Sequence, residues 1–289
     1  MKVIRANVLG FCMGVENAVK QAQNAIQNPN FKGKKIFSLG PLIHNPSVLS
    51  LLKNQGLEVL SENDLNQIDS NSVVLIRAHG TSPKILDLLS KKGAIVIDST
   101  CPKVHLSQRR AKEWHSKDYK IIIAGDKSHG EVLSILSYVD GDGLVLETAL
   151  EAQKTKFSGK IAILAQTTFS LTEFNKICAE IKKQNPEELK IFNSICNATM
   201  LRQNALKELE GKSQGIIVIG GKNSANTKRL FESAKLISAN VALIEDETEI
   251  PQDFYSLESV ALSAGASTPD WIIDKVEQKL MAQSGHFCS

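Results

Sequence analysis

The chain has 289 residues, 42% hydrophobic and 22% charged, with a net charge of +3 and an aromatic fraction of 5%. This is the balance of a soluble globular protein large enough for two or three compact units. Nucleic-acid binding has no support, because no run of Lys and Arg interleaves with aromatics; no membrane span is expected, because nowhere do eighteen apolar residues run together.

The first residues, Met1–Asn7, lack the apolar core of a signal peptide. Five cysteines make a poor disulfide framework, so a cytoplasmic protein with reduced thiols is expected. The mildly basic balance suits a small anionic substrate.

From the N-terminus, short runs of Val, Ile and Leu alternate with amphipathic stretches, the pattern of parallel sheets covered by helices. A strand predicted over Lys2–Val8 leads through Cys12 to a helix over Val15–Ile26. Strand Lys35–Leu39 ends before His44, and strand Val73–Arg77 before His79 and a helix over Pro83–Lys91. Strand Ala94–Asp98 opens at Cys101 into a helix beginning at Pro102. Strand Lys120–Ala124 precedes His129 and Glu131; strands Leu144–Glu147 and Lys160–Ala165 follow, the latter ending at Thr167-Thr168 before a helix over Thr172–Lys183. Strand Lys190–Ser194 opens at Cys196 into a helix over Met200–Leu209. Strands Ile216–Ile219, Val241–Ile244 and Val260–Ser263 then frame Ser224, Ala225, Asn226 and Ser267, and a helix over Trp271–Met281 follows.

The strand ends repeat. Cys12, Cys101 and Cys196 each stand where a strand opens into a helix. His44, His129 and Ser224 follow at the end of the next strand, and His79, Thr168 and Ser267 after a further one. The chain therefore reads as three divergent α/β units, at residues 1–97, 98–193 and 194–289, each with a cysteine and two polar side chains where open α/β sheets bind ligands.

Thiolates at helix N-termini are stabilised by the unpaired N–H groups and the dipole. Three thiolates at one point repel one another without a cation, which favours a metal centre. Zinc is one candidate, but structural zinc prefers closely spaced cysteines; an iron–sulfur cluster with one iron left open is the preferred reading. Cys178 lies in an apolar helical pattern and Cys288 near the terminus, and neither has a place in the repeat. The histidines at strand ends suit phosphate oxygens as N–H donors, and Ser224 and Ser267 sit in hydroxyl-rich turns suited to anions. Glu131 is the best carboxylate for proton delivery, with helix N-terminal placement as its plainer explanation. Thr167 is placed to relay a proton or fix a substrate hydroxyl.

Gly10-Phe11-Cys12-Met13-Gly14, Ile43-His44-Asn45, Arg77-Ala78-His79-Gly80, Ser99-Thr100-Cys101-Pro102, His129-Gly130-Glu131, Gln166-Thr167-Thr168, Ile195-Cys196-Asn197-Ala198-Thr199 with Arg202-Gln203, Lys222-Asn223-Ser224 with Asn226, and Ala264-Gly265-Ala266-Ser267 occur in this order. The ordered set resembles the 4-hydroxy-3-methylbut-2-enyl diphosphate reductase (LytB/IspH) family over nearly the whole chain. The resemblance implies a pseudo-three-fold cloverleaf of three α/β domains around one [4Fe–4S] cluster, held by Cys12, Cys101 and Cys196. It implies an allylic diphosphate bound by His44, His79, His129, Thr167, Ser224, Ala225, Asn226 and Ser267. Glu131, with Thr167 and His129, is implied in proton delivery. Some relatives have a second serine where this chain has Ala225, so any side-chain contact there is lost, while a backbone contact could survive. No flavin or nicotinamide fingerprint is present, so electrons are expected from a separate ferredoxin- or flavodoxin-like protein. A quinolinate synthase-like iron–sulfur enzyme and a non-enzymatic metal-bearing anion sensor are the alternatives.

Overall fold

The computed structural model describes residues 1–283. Its strands are β1 (Lys2–Arg5), β2 (Lys35–Leu39), β3 (Leu57–Leu60), β4 (Ser72–Ile76), β5 (Ile95–Asp98), β6 (Lys120–Ala124), β7 (Gly143–Leu146), β8 (Lys160–Ala165), β9 (Glu188–Phe192), β10 (Gly215–Ile219), β11 (Val241–Ile244) and β12 (Ser259–Ala264). The helices are α1 (Met13–Gln27), α2 (Pro46–Asn54), α3 (Pro83–Lys91), α4 (Pro102–His115), α5 (Gly130–Ser137), α6 (Ala149–Lys154), α7 (Leu171–Lys183), α8 (Asn197–Lys207), α9 (Ala225–Lys235) and α10 (Asp270–Gln283).

The strands form three four-stranded parallel sheets, in the orders β3-β2-β4-β5, β7-β6-β8-β9 and β11-β10-β12-β1. All three have one topology, second-first-third-fourth, if β1 is counted as the fourth strand of the last. Each sheet therefore has its switch point between first and third strands, where connections leave in opposite directions and ligands bind at the carboxyl ends. The strand pairing departs from cuts after residues 97 and 193 at β1, which joins the last sheet. Each sheet takes its fourth strand from the segment just before a cysteine, and β1 pairs with β12 rather than with any strand of residues 35–97.

The central strands are apolar on both faces because both faces are covered. Along β10, Ile217 and Ile219 enter one core with Phe254, Leu262, Ile272, Val276 and Leu280. Ile216 and Val218 enter another with Ala6, Leu206 and Leu230. That alternation is the two-residue period of a strand. The edge strands lose it, leaving Val59 on β3, Ile95 on β5 and Ile191 on β9 exposed.

The chain makes two compact units. One comprises Met1–Glu16, Ile43–Asn54 and the described part of Asn197–Ser289, and carries the sheet of β10, β11, β12 and β1. The other comprises Asn17–Leu42 and Gln55–Cys196 and carries the remaining two sheets. In the latter, Phe37, Leu39, Val74 and Ile76 pack with Leu89 of α3, and Ile121, Ile123, Ala162 and Leu164 pack with Val132 and Ile135 of α5.

Several boundaries differ from the sequence expectation. The strand expected over Lys190–Ser194 lies two residues earlier. Asn193 accepts from the Ile195 N–H (3.1 Å) and Ser194 donates to the Phe192 carbonyl (3.2 Å), so these side chains close a turn where the ladder would continue. The first strand stops at Arg5 and not Val8, with the Asn7 amide bonded to Glu208. The helix expected over Met200–Leu209 spans Asn197–Lys207, and β3 was not anticipated. No helix among the described residues is long and apolar enough to cross a membrane.

Candidate active site and metal centre

The shared topology places the candidate residues at equivalent points. His44, His129 and Ser224 are each the fifth residue beyond the first strand of a sheet, and His79, Thr168 and Ser267 the third beyond the third strand. Both sets flank the switch points. The cysteines follow the fourth strands, and each is tied to its own sheet by the same hydrogen bond. Its N–H donates to the carbonyl of the second residue past the third strand: Cys101 to Ala78 (3.0 Å), Cys196 to Thr167 (2.8 Å) and Cys12 to Ala266 (3.0 Å).

Each cysteine immediately precedes a helix, α1, α4 or α8, and Cys12 and Cys101 accept the first helical bonds, from Glu16 and His105. The Cys101 thiol takes no part in capping α4. All three cysteines are reduced and partly exposed, with soft sulfur donors beside helix N-termini. That donor set fits an iron–sulfur cluster. Cys178 does not: it is buried on α7, and desolvation pushes its thiol up to about 11.

In the unit of Gln55–Cys196, His79 and His129 meet edge to face with ring centroids 4.9 Å apart. His129 is the N-cap of α5, and its Nδ1 accepts from the Glu131 N–H (3.2 Å). In the neutral ring the proton therefore sits on Nε2, free of the cap. Glu131 is 1% exposed, and Thr167 is its partner twice: the Thr167 N–H donates to Oε1 (2.6 Å) and its hydroxyl to Oε2 (2.7 Å). A buried carboxylate held this way is more than a surface residue favouring a helix dipole. Gln166 bridges the Asp126 N–H (2.8 Å) and the Thr168 hydroxyl (2.9 Å), joining the two switch-point loops of this sheet.

A buried brace supports these loops. Gln108 of α4 donates to Ser134 of α5 (2.7 Å), Ser134 donates to the Thr81 carbonyl (3.4 Å), and Gln108 accepts from His105 Nδ1 (3.0 Å). Gly80 fits beneath it at φ +77°, where a Cβ would strike the Gln108 amide. The brace thus fastens the helix opened by Cys101, the helix capped by His129 and the loop of His79. Replacing Gln108 with Leu takes the donor from the buried Ser134 hydroxyl and the acceptor from His105, and is expected to cost about 1–3 kcal/mol of unfolding free energy, read from urea denaturation of the metal-free protein.

In the other unit, Ser267 donates to the His44 carbonyl (3.0 Å), and a Cβ at Gly221 would collide with the same carbonyl. Ser224 caps α9, accepting from the Thr227 N–H (3.3 Å), and partly exposed Ala225 begins that helix. Asn226 follows, 4% exposed, and neither its amide nitrogen nor its amide oxygen has a hydrogen-bond partner among the described residues. Native buried amides are almost always satisfied, so this one makes Asn226, two residues after the Ser224 cap, a candidate for holding a polar ligand. Replacing Asn226 with Ala is expected to raise KM for an anionic substrate about ten- to a hundred-fold, the value of a hydrogen bond to a charged group. The same change removes an unsatisfied amide, so unfolding stability should not fall. A parallel loss of stability would contradict this assignment.

A Lys-Glu-Glu staple recurs two residues before two of these positions. The Lys127 N–H donates to Glu147 (2.8 Å) and its Nζ to Glu151 (2.6 Å), and Lys222 repeats both bonds with Glu245 (2.8 Å) and Glu249 (2.6 Å). Both ammonium groups are held above the usual lysine range by these partners. The equivalent position in the first repeat is Leu42, which is buried.

Known proteins resemble this chain in sequence and in fold. Residues 3–281 match the family described as LytB protein. The chain belongs to the LytB family. It is 43% identical over 289 residues to a 4-hydroxy-3-methylbut-2-enyl diphosphate reductase from Treponema denticola, covering 97% of this chain and 99% of that protein. A solved (E)-4-hydroxy-3-methyl-but-2-enyl diphosphate reductase, described as the terminal enzyme of the non-mevalonate pathway, superposes with TM-score 0.70 at 37% identity, covering 98% of this LytB chain and all of that one. The E-1-hydroxy-2-methyl-but-2-enyl-4-diphosphate reductase of Plasmodium falciparum superposes with TM-score 0.87 at 26% identity, covering 96% and 87% of the two chains.

Sequence reasoning on this LytB chain missed the brace of Gln108 and Ser134, whose only signal was polar residues at helix positions that turn out to be buried. Arg202 was noticed only as part of a motif. Cys288 lies outside the described residues.

Proposed function

We propose that this chain reduces (E)-4-hydroxy-3-methylbut-2-enyl diphosphate to isopentenyl and dimethylallyl diphosphates in the cytoplasm. One [4Fe–4S] cluster would be held by Cys12, Cys101 and Cys196. The substrate gives up its allylic hydroxyl as water while gaining two electrons and two protons. The observation that carries this reading is the recurrence of a partly exposed cysteine at one topological point in all three sheets, each with the same backbone tie. Bound there, such a cluster would supply electrons and, at an iron not taken by a protein thiolate, Lewis acidity toward the hydroxyl.

The remaining chemistry belongs to the side chains. His44, His79 and His129 offer ring N–H groups to the diphosphate, and Ser224, Asn226 and Ser267 add short polar contacts, with the backbone at Ala225. Glu131 holds the proton. When Glu131 is protonated, its bond to Thr167 reverses: Glu131 donates to the threonine hydroxyl, which turns its own proton toward the substrate oxygen. The 2.7 Å separation already present supports that relay. Electrons would come from a ferredoxin- or flavodoxin-like donor.

The test is anaerobic turnover with the allylic diphosphate and a reduced viologen, with products identified by NMR. Formation of both isomeric diphosphates is expected. Tight binding of the diphosphate without turnover would favour an anion sensor and overturn the proposal.

A further inference from the structure

The proposed chemistry makes no use of Arg202. This residue lies on the second turn of α8 and is 3% exposed. Its Nη2 donates to the Gly10 carbonyl (2.6 Å) and its Nη1 to the Ala198 carbonyl (3.0 Å). Gly10 precedes Cys12 by two residues, and Ala198 sits in the first turn of the helix that Cys196 opens.

The segment before Cys12 is constrained from other sides as well. Gly10 adopts φ +77°, and its Cα lies against Asp270 at the start of α10, where a Cβ would strike the carboxylate. The Cys12 N–H is committed to the Ala266 carbonyl (3.0 Å). Burying a guanidinium costs free energy unless its donors are used, and charge-assisted bonds of this kind are about twice as strong as neutral ones. The planar fork of Arg reaches two carbonyls in one fixed geometry. A lysine ammonium is a point charge on a flexible stem and cannot fix both.

We propose that Arg202 is a positioning residue for Cys12. It fastens the Gly10–Cys12 loop onto the first turn of α8, so the Cys12 thiol is presented in one orientation before any metal arrives. The functional meaning of that orientation rests on the reading of Cys12 as a cluster ligand.

The test is per-cysteine alkylation of metal-free protein by N-ethylmaleimide under anaerobic conditions at pH 8, followed by mass spectrometry, in wild type, Arg202→Met and Arg202→Lys. Cys12 should label about ten-fold faster in Arg202→Met, the effect of losing a charge-assisted bond, and at an intermediate rate in Arg202→Lys. Cys101, also partly exposed and at the equivalent point of another sheet, is the control and should not change. Buried Cys178, with its thiol pushed up to about 11, gauges folding of the Gln55–Cys196 unit and should stay unlabelled, while an unchanged urea transition of the whole chain gauges the unit that holds Arg202. Unchanged Cys12 labelling in either variant that keeps Cys178 protected overturns the proposal.

Iron-loaded protein provides a second readout, chelator-driven iron loss, expected to be several-fold faster in Arg202→Lys than in wild type. If wild type itself holds no iron, the cluster reading fails, while the Cys12 labelling still decides the role of Arg202.

Discussion

Replacing Glu131 with Gln is expected to lower kcat about 10²–10⁴-fold, the usual worth of a positioned general acid. KM for the diphosphate should change little, and iron content should match wild type. The substitution keeps the size of the side chain and its ability to accept from the Thr167 N–H, now 2.6 Å from Oε1. What it removes is the proton that, in the proposed relay, Glu131 passes through the Thr167 hydroxyl. Thr167→Val should reproduce most of the loss, because it cuts the same path at its next atom. Combined in one chain, the two changes should cost scarcely more than either alone, since residues acting as one unit are not additive. If Glu131→Gln turns over normally, the buried carboxylate is structural and the proton comes from elsewhere.

The second large effect concerns the cysteines. Serine at position 12, 101 or 196 is expected to abolish turnover and to strip most of the iron from anaerobically purified protein. Each replacement substitutes a hard hydroxyl for a soft thiolate at one of three equivalent points. Cys178→Ala should keep full iron content and activity while losing about 1 kcal/mol of stability, because Cys178 is a buried packing residue on α7. The contrast separates a cluster built by position from one that depends on cysteine in general. Full iron retention in Cys196→Ser would break the proposed equivalence.

Much of this site is legible in the residue order. Central strands such as Val73-Val74-Leu75-Ile76 and Ile121-Ile122-Ile123-Ala124 are covered on both faces, so their continuous apolar runs announce them. The spacing of cysteines and polar strand-end residues then reveals the repeat, because equivalent loops must carry equivalent positions. The closure of the third sheet by β1 could not be read. Lys2 pairs with Ser259 across almost the whole chain, and parallel pairing leaves no turn signal between partners. Strand β3 escaped for another reason: its four residues, Leu57–Leu60, lie on an edge with only the two ends buried. Arg202, Gln108 and Ser134 look like the solvent faces of ordinary helices, and only burial turns them into supports. Asn226 was placed by resemblance; its unsatisfied amide is a property of three-dimensional packing that no spacing rule contains.

The most direct test of the account is iron, acid-labile sulfide and zinc analysis of the chain purified without oxygen. About four irons and four sulfides per chain are predicted, the content of one [4Fe–4S] cluster. Stoichiometric zinc without sulfide would contradict it.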